Sequence, residues 1–230
     1  NIPEYSISLE VDEKEIESTV SSLFAPLERK KENISQVHTE FVTEAFESKI
    51  FREKQNVKQG KLVIGMRAGM TFDFDNYPAI RLMTAIFGGG TFSKLFMNVR
   101  EKMSLCYYCA ARLLASKGII TVESGVETEN AEKALAAIRN ELDEVRKGNF
   151  TDETVENAKK SLVDSFNSVE DSVLGIEAFM ESQCLSGTFR TPEEYAELLN
   201  NVSREEIIIA ANMVTEDTVF ILESEKEENE

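Results

Sequence analysis

Cys106 and Cys109 form a C-x-x-C, Gly88, Gly89 and Gly90 run toward Ser93 and Lys94, and His38 is the chain's one histidine. Each could carry chemistry. A thiol pair at this spacing can hold zinc or cycle between dithiol and disulfide, provided that both sulfurs face one side. Residues 106–114 read as a strand, where positions three apart face opposite sides, so the two thiols are expected to be buried structural sulfurs. The glycines suggest a phosphate cradle. The spacing rejects it: a P-loop needs G-x-x-x-x-G-K-S/T after a strand, and the dinucleotide fingerprint needs a third glycine where Ser93 stands. His38 is followed by Thr39, Glu40, Phe41 and Val42, so no second imidazole lies one helical turn away, and a surface or partly packed histidine is expected. The carboxylates are many but show no diagnostic spacing, and no G-x-S-x-G nucleophile elbow is present.

Composition narrows the partners. Lys and Arg number 25 against 42 Asp and Glu, a formal charge of −17. Such a field repels phosphate backbones and anionic lipid, so neither nucleic acid nor a membrane is expected as a partner. No apolar run approaches the roughly 20 residues of a spanning helix, and no basic-then-apolar signal segment opens the chain. Three cysteines, an odd and small number, suit a reducing compartment, and a cytoplasmic location is the expectation. The chain opens on Asn1 rather than Met, which reads as a fragment or processed product of one domain and a fraction.

The elements that must position these residues follow from pattern. Tyr5 to Val11 reads as a strand, and Asp12 with Glu15 caps a helix running to about Phe24. Residues 1–27 are thus a strand-helix unit, 28–36 a charged linker, 37–222 the main domain and 223–230 an acidic tail with five glutamates in eight residues. Within the main domain, Val37 to Ile50 and Val57 to Ala68 read as strands, and Tyr77 to Phe87 as an apolar helix closed by glycines in positive φ. Ser93 or Thr91 caps a helix to Lys102, and Cys106 to Leu114 with Gly118 to Val126 forms a hairpin, giving four antiparallel strands. The second half is helical. Ala134, Leu135, Ile138, Leu142 and Val145 share one stripe ended by Gly148. A long helix starting at Thr151 is expected to reach Cys184, broken or bent near Gly175. Capping signals at Thr191/Glu194 and Ser203/Glu206 open two more helices, before a short strand from Thr218 to Leu222. The fold class is α+β, a largely antiparallel sheet covered on one face by helices.

The run from Gly88 to Tyr108, GGGTFSKLFMNVREKMSLCYY, closely resembles the signature of the second domain of the pitrilysin/insulinase-type (inverzincin) zinc metallopeptidases. That superfamily also holds the mitochondrial processing peptidases and the core proteins of the respiratory bc1 complex. The resemblance extends over Gln59 to Met66, Lys117 to Gly125 and Gly148 to Thr151, and covers residues 37–222. It implies the LuxS/pitrilysin-like metallohydrolase fold. It also implies that Arg100 and Tyr107, which match an R-x-x-x-x-x-x-Y frame, project toward a zinc site in another domain, bind the substrate carbonyl and steady an oxyanion. Read from residue type alone, an Arg at a helix end and a Tyr in a strand need no such role. The family's H-x-x-E-H is absent, so no catalytic residue and no metal ligand is assigned to this chain. Zinc is expected only in a catalytic domain or partner. The wording is most similar to the bacterial inactive processing-peptidase-like members, which implies a peptide substrate, a zinc-bearing domain or paralogous subunit, and a homo- or heterodimer. The function so implied is one wall of a peptide-binding chamber. The rivals are an assembly subunit without substrate, and the substrate-clamping half of an active peptidase whose zinc motif lies upstream.

Overall fold

The structure is a computed structural model that describes residues 12–27, 42–70 and 75–225. The chain divides into two compact units, Asn1–Glu40 and Phe41–Glu230. In the first, helix α1 (Glu13–Phe24) begins where the Asp12 carboxylate accepts from the backbone N–H groups of Lys14 and Glu15, satisfying two donors of the first turn. The strand expected over Tyr5 to Val11, the linker and His38 lie outside the described residues.

The second unit is built on a five-stranded sheet. Its strands are β1 (Lys49–Gln55), β2 (Gly60–Arg67), β3 (Cys106–Leu114), β4 (Ile119–Val126) and β5 (Thr215–Ser224), ordered β1-β5-β2-β4-β3. β2 to β5 pair antiparallel, so the sheet is largely antiparallel as expected, whereas β1, expected among the antiparallel strands, runs parallel to β5. Of the strand expected over Val37 to Ile50, residues 37–41 lie outside the described residues, and among the described ones it begins at Lys49. Residues 42–48 follow no ladder, and are tied by single bonds from the Gly69 N–H to the Thr43 carbonyl and from the Ala45 N–H to the Thr215 hydroxyl. Every residue of β1 is exposed, so it carries no burial alternation by which the sequence could mark it. The last strand is longer than the apolar stretch Thr218 to Leu222, because its ends are held by partners β1 and β2 rather than by burial.

Inward residues Leu62, Ile64, Met66, Ile120, Val122, Val219 and Ile221 are at most 1 % exposed and form the floor of the core. Over them lie α2 (Tyr77–Gly88) and α3 (Ala131–Arg146). The second helix is buried along nearly its whole length because it also meets α4 (Asp152–Asn167), α6 (Pro192–Asn201) and α7 (Arg204–Met213). Both capping boxes expected at Thr191/Glu194 and Ser203/Glu206 are formed. The helical run from Thr151 is broken rather than bent, a few residues before Gly175: α4 ends at Asn167, a 3-10 turn spans Ser168–Asp171, and Ser172 caps a separate helix α5 (Val173–Ser186) through the Gly175 N–H at 2.9 Å. Gly148 ends α3 in the left-handed region, φ 78°, as its pattern requires.

The three glycines after α2 serve a different purpose from the one expected. None adopts positive φ. A Cβ on Gly88 would stand 2.6 Å from both the Cβ and N of Ala111, so the residue is glycine because α2 and β3 approach too closely for a side chain. Gly88→Ala is therefore expected to cost about 2 to 3 kcal/mol through overpacking. Urea unfolding followed by circular dichroism measures this, and a change within about 0.5 kcal/mol, the scatter of an ordinary surface substitution, would refute the packing argument.

Candidate functional site

Residues 95–102 wind more widely than an α-helix, with the Met103 N–H donating to the Asn98 carbonyl five residues back at 2.9 Å. This π-helix (Leu95–Lys102) carries Arg100, and such wide turns occur mostly at functional positions. It is fixed from below by one acid. Glu141 on α3 is 4 % exposed, and it accepts from Asn98 Nδ2 at 2.8 Å and pairs with Lys94 Nζ at 3.1 Å. Lys94 also donates to the Asn149 carbonyl at 2.9 Å. A buried carboxylate is tolerable only when charge and lone pairs are matched, so Glu141 locks the start and middle of the π-helix to the helical layer. The Arg100 guanidinium then lies over the Phe96 ring, 4.6 Å from its centroid.

After the helix, Ser104 takes φ 51°, an uncommon conformation for a residue with a side chain, and turns the chain into β3. The ladder between β3 and β4 slips by one residue there, pairing Cys106 with Val126 and Tyr108 with Gly125. Tyr107 is the extra residue of this bulge. A bulge puts two consecutive side chains on one face, and Tyr107 and Tyr108 are both exposed. The Tyr107 hydroxyl donates to Glu127 Oε1 at 3.1 Å. That hydrogen bond, and after it the carboxylate's charge, raise the phenol above its ordinary value, so it stays a protonated donor.

The bulge also corrects the reading of the C-x-x-C. It adds a half-period to the strand alternation, so Cys106 and Cys109 face the same side. Cys109 is buried and Cys106 half-buried. With the hydrogen bond from Cys109 as the leading cause, and with Ser124 and the Arg100 charge assisting, Cys106 is lowered to about 7, while Cys109 is pushed up.

Arg100, Glu101, Ser104, Cys106, Tyr107 and Glu127 line one open cavity of about 400 Å³. The structure thus brings Arg100 and Tyr107 together on a common rim. Two neighbours were missed in the sequence, Cys106 and Glu127. Glu127 was legible in principle, since counting from the Gly118 bend places Val126 opposite position 107 and Glu127 just beyond. Cys106 was not, because a bulge leaves no pattern. Among the described residues no group of three or more His, Cys, Asp or Glu side chains could hold a metal ion.

The family model described as "Peptidase M16 inactive domain" matches residues 10–162. The chain belongs to the peptidase M16 inactive-domain family. The M16 chain is 32 % identical over 213 residues to the probable inactive metalloprotease YmfF of Bacillus subtilis, covering 93 % of this chain and 49 % of that protein. It is 24 % identical over 213 residues to an uncharacterized zinc protease of Rickettsia bellii, covering 91 % and 50 %. Among solved structures, it is similar to a conserved protein from Enterococcus faecalis with a TM-score of 0.85 and 26 % identity, covering 96 % of this chain and 51 % of that one. The M16 domain thus spans about half the length of the curated relatives it matches. The α+β fold expected from its pattern is the fold of M16-like peptidase domains.

Two outcomes follow from the site's construction. Glu141→Gln leaves Lys94 without its counter-ion and is expected to cost about 2 to 4 kcal/mol, part of the penalty for breaking a buried pair being relieved by solvent at Lys94. Denaturant unfolding checks this, and a neutral effect would contradict the anchoring role. Glu127→Gln removes the charge that raises the Tyr107 phenol. The Tyr107 titration, followed by the ¹³Cζ shift, is expected to move to lower pH; an unchanged midpoint would show that the Tyr107–Glu127 bond does not persist in solution.

Proposed function

We propose that this M16 domain forms one wall of a peptide-binding chamber, with Arg100 and Tyr107 contacting the peptide. The observation that supports this best is the shared rim: a cationic guanidinium and a protonated phenol, 39 % and 59 % exposed, border the same open cavity. Both are fixed donors, suited to a backbone carbonyl or to negative charge developing on it. Arg100 pairs with the adjacent Glu101 at 3.7 Å, a solvent-screened contact that leaves the cation available. β3 is one of the two edge strands of the sheet, so an extended peptide can add to it beside Tyr107. The missing half of the chamber is a catalytic zinc-bearing domain or a paralogous subunit, in cis or as a dimer.

A second reading has a specific observation behind it. A relative covering most of this chain is named a zinc protease and is about twice as long. On that reading the domain is the substrate-clamping half of an active peptidase whose zinc is held elsewhere. Zinc content and cleavage of an unfolded labelled protein, measured on the longest form the gene encodes, separate the two. Stoichiometric zinc with cleavage selects the clamp, and peptide binding without either selects the inactive wall.

In the same full-length protein, Arg100→Ala and Tyr107→Phe are each expected to weaken binding of a fluorescein-labelled extended peptide about tenfold, the loss of one charge-assisted or donor hydrogen bond. Fluorescence anisotropy reads this. Unchanged affinity in both proteins, with native circular dichroism, would leave the assembly-subunit account and remove the substrate role.

A further inference from the structure

We propose that Cys106 and Cys109 are an oxidisable dithiol, in which Cys106 reacts first with a hydroperoxide and Cys109 resolves the product to an intramolecular disulfide. The bulge at Tyr107 carries the argument, since in a regular strand the two sulfurs would face opposite sides of the sheet. Here the register shift turns both sulfurs to the inner side of β3, and their surroundings divide the roles. Cys106 is half-buried and lines the open cavity, where a small oxidant can reach it. Cys109 is 4 % exposed and shielded behind it.

The electrostatics agree with that order. The neighbouring Cys109 thiol and the Arg100 cation both favour the charged form of Cys106. A sulfur lowered to about 7 is roughly half thiolate at neutral pH, against about 1 to 3 % for an ordinary cysteine. The thiolate is the nucleophile. It attacks the hydroperoxide, an S–O bond forms as the O–O bond breaks, and the leaving oxide takes a proton to become water or an alcohol. The Cys109 thiol then gives up its proton and attacks the sulfenic sulfur. The S–S bond forms, the S–O bond breaks and water departs, so two thiols are oxidised by two electrons while one hydroperoxide is reduced. Closure removes the negative sulfur from beside Arg100, on the rim where peptide contact is proposed. The thiol chemistry itself does not depend on that proposal.

The test is mass spectrometry of the protein treated with hydrogen peroxide at pH 7, blocked with N-ethylmaleimide and digested with trypsin. Both sulfurs fall in the one peptide from Met103 to Arg112, and the exposed Cys184 is an internal control. The expected product is that peptide lighter by about 2 Da than its dithiol form, unlabelled by maleimide and restored by dithiothreitol, while Cys184 remains labelled. In Cys109→Ala, Cys106 is expected to accumulate as a dimedone-reactive sulfenic acid. Its alkylation at pH 7 should slow about fivefold, because the lost thiolate fraction outweighs the gain in intrinsic nucleophilicity. Maleimide labelling of both residues after peroxide treatment, or a sulfenic acid on Cys106 that persists in the unsubstituted protein, would overturn the proposal. Neither result bears on peptide affinity, so this inference and the chamber reading fail independently.

Discussion

One buried carboxylate holds the site in place. Glu141 is drawn inside by the apolar stripe of α3, and a charge there must find partners or be neutralised. Its partners, Lys94 and Asn98, both belong to the segment that carries Arg100. The π-helix therefore has no freedom to slide along the core, and the chain must leave it through the left-handed Ser104 to reach β3. The Tyr107 bulge absorbs the residue left over by that tight exit. Arg100, Tyr107 and the thiol pair are all placed by this sequence of local constraints.

The charge distribution has the same economy. In a chain of net charge −17, Arg52, Arg67, Arg139, Arg146 and Arg204 are all held by carboxylates and serve the fold. Arg146 and Arg204 additionally close backbone carbonyls at the ends of helices and loops. Arg100 differs. Its carboxylate contact is the solvent-screened pair with Glu101 at 3.7 Å, and the Phe96 ring orients the guanidinium. An oriented cation at an open rim is the physical basis for the proposed contact with peptide.

Much of the fold could be read from the sequence where one physical effect dominates. The helix from Tyr77 is apolar because it is buried on all sides, the two capping boxes are local hydrogen-bond chemistry, and Gly148 needs its left-handed φ. Misreadings arose where a partner distant in sequence decides. β1 is a strand only because β5 offers its edge, and Gly88 is small because Ala111 lies against it. The bulge was invisible for the same reason, being a mismatch between two strands rather than a property of either. Thus Arg100 and Tyr107 could be named from a resemblance and Glu127 placed by counting from the hairpin bend, yet the shared orientation of the two thiols required coordinates.

The central claim is that the π-helix and the bulge together make a peptide contact site. The most direct measurement is a ¹⁵N–¹H shift map of the labelled protein titrated with an extended, unlabelled peptide. The account predicts saturable shifts concentrated at residues 100–108 and 127–130, with propagation along the β3 edge. Saturable shifts confined to helices α4 to α7, or no saturation at all, would contradict it.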